Sequence, residues 1–196
     1  MGRPREFDQE QVLDNAMMAF WRHGYLGTGV QELVTATGIN RASLYSTFGN
    51  KQQLFLTTLK RYTGICVGEL RAALAGGESR VEGIRDMLDH FMNGILKTAR
   101  GCMLYNTALE VSSYDRQICT AVEAGMREIE SMLVEQVKLA QAEGELNPSL
   151  EPLIVARTTM AAMQSMTVRG SANGARDVLE SIRDGAMLIY GQATMP

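Results

Sequence analysis

At 196 residues, 45% of them hydrophobic and only four of them proline, the chain is long enough to bury a core and has an ordinary globular composition. Its three cysteines lack metal-ligand spacing and its two histidines, His23 and His90, stand apart from them, so neither structural disulfides nor a metal or other cofactor is expected. No apolar run approaches the roughly 20 residues that span a bilayer, and no signal-peptide core follows the basic first five residues, so a cytoplasmic protein without membrane contact is expected.

The net charge of −3 argues against a nucleic-acid partner until it is divided along the chain. Residues 1–62 hold seven Lys/Arg against five Asp/Glu, a balance of +2 that leaves −5 for the remainder. Arg3 and Arg5 precede the first periodic segment and read as an arm of the kind that enters the electronegative minor groove, with a solvated terminus as the plain alternative.

A first helix is predicted after Asp8, with Val12, Leu13, Ala16, Met17, Phe20 and Trp21 on one face and a stop at Gly24. Trp21 and Tyr25 read as core of a small N-terminal domain. A second helix follows Thr28-Gly29 and reaches Gly38, which can take the positive φ of a sharp turn. A third begins at Asn40 or Arg41 with Leu44 and Phe48 inward, leaving Arg41, Ala42, Ser43, Tyr45, Ser46 and Thr47 facing out. Two short helices meeting at a glycine form a helix-turn-helix, whose second helix offers its N-terminal residues to base edges in the major groove.

After the Gly49-Asn50 break, Lys51 opens a fourth helix predicted from about Gln52 to Leu74, too long for the small domain alone and so a rigid connector. The clearest linker is Gly76-Gly77-Glu78-Ser79, but division by packing is expected inside the fourth helix. That gives a DNA-binding domain over 1–62 and a second domain over 63–196. Five further periodicities complete the chain: Val81 to Ala99, Met103 to Val111, Ile118 to Ala140, Leu153 to Thr167 and Val178 to Ile189. The expected fold is all-α, nine helices in two domains.

Catalytic motifs are absent: there is no phosphate-cradling glycine loop, no His-Glu-x-x-His and no Gly-x-Ser-x-Gly. An enzyme is not expected. The last two helices are apolar on more than one face, which calls for a second surface to bury, so a two-fold homodimer is expected through Ile154, Ala161, Ser165, Val178, Ile182 and Ala186. Cys102 follows Arg100-Gly101 and opens a short helix, a place that favours thiolate; the plain alternative is a small buried hydrophobe, and Cys66 and Cys119 lie on apolar stripes and read as less reactive.

The run Gly-Ile-x-x-x-x-Leu-Tyr-x-x-Phe-x-x-Lys-x-x-Leu from Gly38 to Leu54, with Gly24-Tyr25, Thr28 and Val30-Gln31-Glu32-Leu33 before it, closely resembles the TetR/AcrR family of bacterial transcriptional regulators. By position in that motif, Arg41 and Ala42 are expected to meet base edges, and Thr28, Tyr45, Thr47 and Lys51 to hold phosphates. The resemblance implies a repressor bound to a palindromic double-stranded operator and released by a small-molecule effector in the second domain. Ten of the thirteen methionines fall after residue 62, and several of them lie on the fifth to eighth helices, where the resemblance suggests the pocket walls; Phe91, Cys102, Tyr105, Met126 and Met163 are the candidates. The alternative reading is a DNA-binding regulator without a small ligand, switched by a protein partner or by cysteine oxidation.

Overall fold

In the computed structural model, which describes residues 7–111, 114–172 and 174–191, helices begin where side chains satisfy the first free amides. Asp8 accepts from the backbone N–H of Glu10 and Gln11 ahead of α1 (Gln9–Gly27). Asn40 accepts from Ser43 ahead of α3 (Arg41–Phe48), and Asn50 and Gln53 cap one another reciprocally ahead of α4 (Lys51–Leu74). Between them α2 (Val30–Thr37) starts without a side-chain cap at Gly29 and ends at Gly38, whose φ of 71° makes the predicted turn. Gly24, at φ 76° and ψ 173°, breaks the helical path of α1 where the sequence placed its end, and one more turn carries the chain to Gly27.

The second part of the chain adds α5 (Arg80–Thr98), α6 (Met103–Val111), α7 (Arg116–Ala142), α8 (Pro152–Ser171) and α9 (Arg176–Met187). The described residues are thus all-α with nine helices and no strand, as the periodicities predicted. No described helix is long and apolar enough to cross a membrane.

Packing explains the order. Leu33, Leu44 and Leu54 have no exposed surface and hold α2, α3 and α4 together, each contributing about 1.5–3 kcal/mol by burial. Phe55 meets Phe20 edge-on at 4.9 Å and Tyr25 at 4.8 Å, which fixes α4 against α1. Arg61 binds the carboxylates of both Asp14 and Glu10, adding a polar clasp one turn further along. Beyond it α4 packs on α5, α6 and α7, so one unbroken helix is shared between the two parts of the fold.

The Gly76–Ser79 linker is an ordered turn, closed by the Glu145 carboxylate, which accepts the backbone N–H of Arg80 (3.1 Å) and Val81 (2.9 Å). The inward stripe of α9 differs from the predicted one: Leu179, Ala186, Met187 and then Tyr190 are buried, while Val178 and Ile182 are half-buried. Two polar anchors set that rotation. Arg183 pairs with Asp89 on α5 at 2.5 Å, and the Tyr190 hydroxyl bonds Thr159 on α8 at 2.6 Å.

Candidate nucleic-acid interface and effector cavity

The outer face of α3 is built from its first turn. Arg41, Ala42 and Ser46 are exposed, while Ser43, Tyr45 and Thr47 are half-buried. Ser46 and Thr47 donate their hydroxyls to the Ser43 carbonyl at 3.0 and 2.9 Å, and the Arg41 guanidinium lies 5.7 Å from the centre of the Tyr45 ring. A cationic group, a methyl and hydroxyls therefore share the N-terminal end of a helix anchored from behind by Leu44, the arrangement that direct base readout requires.

One expected phosphate contact is placed differently, and a second is partly covered. Thr28 has no exposed surface, and its hydroxyl donates to the Gly24 carbonyl at 2.5 Å, so it closes the turn after α1 instead of facing a phosphate. Lys51 sits with its ammonium 4.6 Å from the centre of the Tyr25 ring; burial lowers its pKa and the nearby Glu110 acts in the opposite direction. Arg3 and Arg5 lie outside the described residues.

Glu110 on α6 was not singled out by the sequence, because its partners are 84 and 85 residues away. Its two carboxylate oxygens accept the backbone N–H of Tyr25 (2.9 Å) and Leu26 (2.7 Å), amides left free by the break at Gly24. Trp21 makes a second crossing: its indole N–H donates to the Gly101 carbonyl at 3.0 Å and its ring meets Tyr62 at 5.2 Å. Trp21 is therefore not core of the small N-terminal unit, as its place on the α1 stripe suggested. It is the contact between that unit and the loop before α6.

The same loop borders a cavity of about 250 Å³ between α1, α4 and α5, partly open to solvent. Met17, Trp21, Tyr62, Ile65, Leu70, Phe91 and Ile95 give it apolar walls, Glu69, His90 and Lys97 stand on its polar side, and Cys66 and Cys102 complete the lining. Of the expected pocket residues, Phe91 and Cys102 belong to this wall, whereas Tyr105, Met126 and Met163 do not. The Tyr105 hydroxyl donates to the Met160 carbonyl, Met163 is fully buried core and Met126 packs half-buried on α7. The methionine-lined pocket is thus corrected: Met87, Met92, Met103, Met132, Met163, Met166 and Met187 fill the helical core, and Met17 is the methionine on the wall.

The Cys102 thiol is almost fully buried immediately before α6. The neighbouring Cys66 thiol, with the backbone N–H of Tyr105 and Leu104 and the Tyr62 hydroxyl, lowers its pKa to about 7 against the opposing effect of burial. Cys66 is pushed upward by the same thiol pairing and by burial. The spacing of Tyr62 and Cys66, one helical turn apart, was the signal that put both on one wall.

On the far side of the fold, Ile154, Thr158, Ala161, Ser165 and Val168 form an exposed stripe along α8, with Ile154 62% and Val168 50% exposed. Alongside it, α9 exposes Ser181, Gly185 and Leu188. Ala186 was expected on this face; it is buried within its own protomer because α9 is turned by the Arg183–Asp89 pair.

Comparison with known proteins bears on both ends of the molecule. A family model described as bacterial regulatory proteins, tetR family, matches residues 12–58, and a tetracyclin repressor-like C-terminal domain model matches residues 77–186. The repressor ComR of Escherichia coli is 30% identical over 96% of this chain and 91% of its own. The uncharacterized regulator YezE of Bacillus subtilis is 34% identical over 75% of this chain and 77% of its own. A cysteine mutant of the TetR family regulator CifR, complexed with 26-base-pair operator DNA, superposes with a TM-score of 0.88 at 27% identity, covering 95% of this chain and 98% of that one.

Proposed function

This chain belongs to the tetR family of bacterial regulatory proteins and is a DNA-binding transcriptional regulator; from that premise we propose that it is a homodimeric repressor released from its operator by a small molecule. Residues 1–62 act as the reading domain and residues 63–196 as the effector-binding and dimerisation domain. Arg41 and Ala42 read bases, and Ser43, Tyr45, Ser46, Thr47 and Lys51 position the helix on the backbone. The α8 stripe and the exposed side of α9 pair across a two-fold axis, so that two copies of α3 meet successive half-sites about 34–36 Å apart.

The observation that carries this reading is the position of the cavity. Its walls include Met17 and Trp21 of α1 and the Gly101-Cys102 loop that leads into α6, so filling it presses on the Trp21–Gly101 contact between the reading unit and the rest. Support also comes from ComR, named a repressor, and from CifR, complexed with operator DNA. The test is to measure binding of the purified protein to fragments of its own upstream DNA, with and without a panel of small apolar molecules. A tight complex on one palindromic fragment, dissolved by a compound that Gly94→Leu makes ineffective, is the expected result; Gly94 lines the cavity and a Cβ there meets nothing within 4 Å. Release that is unchanged by Gly94→Leu would place the effector elsewhere.

A further inference from the structure

A second cleft, of about 280 Å³ and partly open to solvent, lies where the reading unit meets α6, and it shares only Trp21 with the apolar cavity. Arg22 of α1 lines it together with Arg100 from the loop before α6 and Asn106 and Thr107 of α6, while Phe20 and Met103 supply its apolar part. Met18 and Arg22 are four residues apart and so lie on one side of α1. Arg100 reaches that side: its guanidinium lies 5.6 Å from the centre of the Trp21 ring, and its Nη1 is 3.9 Å from the Met18 sulfur. Neither arginine pairs with a carboxylate among the described residues. Glu110 also lines the cleft, but its two oxygens are taken by the amides of Tyr25 and Leu26, and two guanidiniums against one carboxylate leave the cleft positive.

Thr107 is the second observation. It is only 3% exposed, yet its hydroxyl bonds no group among the described residues. The other buried threonines, Thr28, Thr37, Thr58, Thr63, Thr159 and Thr167, each donate to a backbone carbonyl. No fully enclosed side-chain oxygen among the described residues lacks a partner, so the Thr107 oxygen opens onto the space that the cleft provides. Beside it the Asn106 amide spends one N–H on the Arg100 carbonyl at 2.7 Å and keeps a second to offer.

We propose that this cleft binds a phosphate dianion, free or as the monoester of a small metabolite, held by Arg22 and Arg100 with the Thr107 hydroxyl and the Asn106 amide as further donors. A planar carboxylate matches one guanidinium fork, whereas guanidiniums from two different elements, with a hydroxyl and an amide alongside, suit a tetrahedral dianion whose oxygens point several ways. The room beside Phe20 and Met103 takes a small organic body. The bound ion ties α1 to the start of α6 next to the Trp21–Gly101 and Gly24–Glu110 contacts, and so braces the reading unit on the rest of the fold.

Isothermal titration calorimetry on the full chain compares inorganic phosphate, glycerol 3-phosphate and glycerol at about pH 8, where the phosphate is a dianion. Both phosphates are expected to bind once per chain and glycerol not at all; tighter binding of glycerol 3-phosphate identifies a monoester as the occupant, and equal binding the free ion. Arg22→Gln and Arg100→Gln are each expected to weaken binding about tenfold or more, and Arg41→Ala on the DNA-reading helix to leave it unchanged. Arg22 is exposed on α1, so Arg22→Gln keeps the test sound even where Arg100→Gln loosens the Trp21 contact. Absence of binding by both phosphates overturns the proposal, as does binding that Arg22→Gln retains at wild-type strength or that Arg41→Ala abolishes. Hydrogen exchange of the segment holding Tyr25 and Leu26 is expected to slow when the ion is bound; exchange unchanged there overturns the bracing.

Discussion

A Cβ placed on Gly24 would lie 2.6 Å from both carboxylate oxygens of Glu110, a residue 86 positions away on α6. The glycine serves two purposes at once: its φ of 76° with ψ of 173° is a conformation that side chains avoid, and its bare Cα lets a carboxylate approach two free amides. The helix break that the sequence marked is thus also the socket through which α6 grips the reading unit.

That relationship separates two glycines that look alike in sequence. Gly38→Ala meets nothing within 4 Å and carries only the left-handed backbone penalty of about 1–2 kcal/mol, whereas Gly24→Ala adds a collision with Glu110 and is expected to cost more. Glu110→Ala leaves the Tyr25 and Leu26 amides to water, a loss of about 1–3 kcal/mol. Urea denaturation of the three variants checks the order; equal losses for the two glycine variants would mean that the Glu110 contact is not maintained in solution.

On DNA, Arg41→Ala is expected to cost about 1–3 kcal/mol and to relax preference at particular base pairs. Lys51→Ala is expected to weaken all sequences alike and to reduce the salt dependence by about one charge. Thr28→Val is expected to lower stability while leaving the salt dependence unchanged, because its hydroxyl is spent on the Gly24 carbonyl. Fluorescence anisotropy titrations at several salt concentrations distinguish the three; selectivity retained by Arg41→Ala would shift the register assigned to α3.

For the dimer, a charge at Ala161 and one at Ala186 are expected to act differently. Ala161→Glu falls on the exposed stripe of α8 and should give a folded monomer with poor operator binding, while Ala186→Glu buries an unpaired carboxylate inside the protomer and should unfold it. Light scattering and circular dichroism read the two effects. A folded dimer from Ala161→Glu would move the interface off this stripe.

Acid should loosen the start of α5. Burial works to raise the pKa of Glu145, but the backbone N–H of Val81 and Arg80, the Ser79 hydroxyl and the Arg80 charge outweigh it and hold it below the ordinary carboxylate value. A depressed folded-state pKa stabilises fully above the unfolded value and loses that contribution as pH falls through the folded one. Wild type should therefore exceed Glu145→Gln in melting temperature at neutral pH, with the gap shrinking below the normal glutamate range; a gap constant down to strong acid would exclude this linkage.

The sequence by itself determined the local features of this protein. Asp8, Asn40 and Asn50 marked helix starts, Gly24 and Gly38 marked breaks, and the period of Leu33, Leu44 and Leu54 fixed which sides of α2, α3 and α4 turn inward. Such signals are legible because capping, positive φ and amphipathic spacing act over a few neighbouring residues. The outward set on α3 followed from the same rule, but whether a polar side chain faces solvent or closes a turn did not: Thr28 and Lys51 needed the neighbours that fold over them, Gly24 and Tyr25. Only the tertiary structure decided where the cavity lies, because its wall joins α1, α4, α5 and the loop before α6, helices whose contacts no periodicity encodes. It also seated Glu110 against Gly24 and turned Ala186 inward. Amphipathic spacing shows that a helix has an inner face but does not say which helix covers it, and at α9 one distant ion pair, Arg183 with Asp89, was enough to choose.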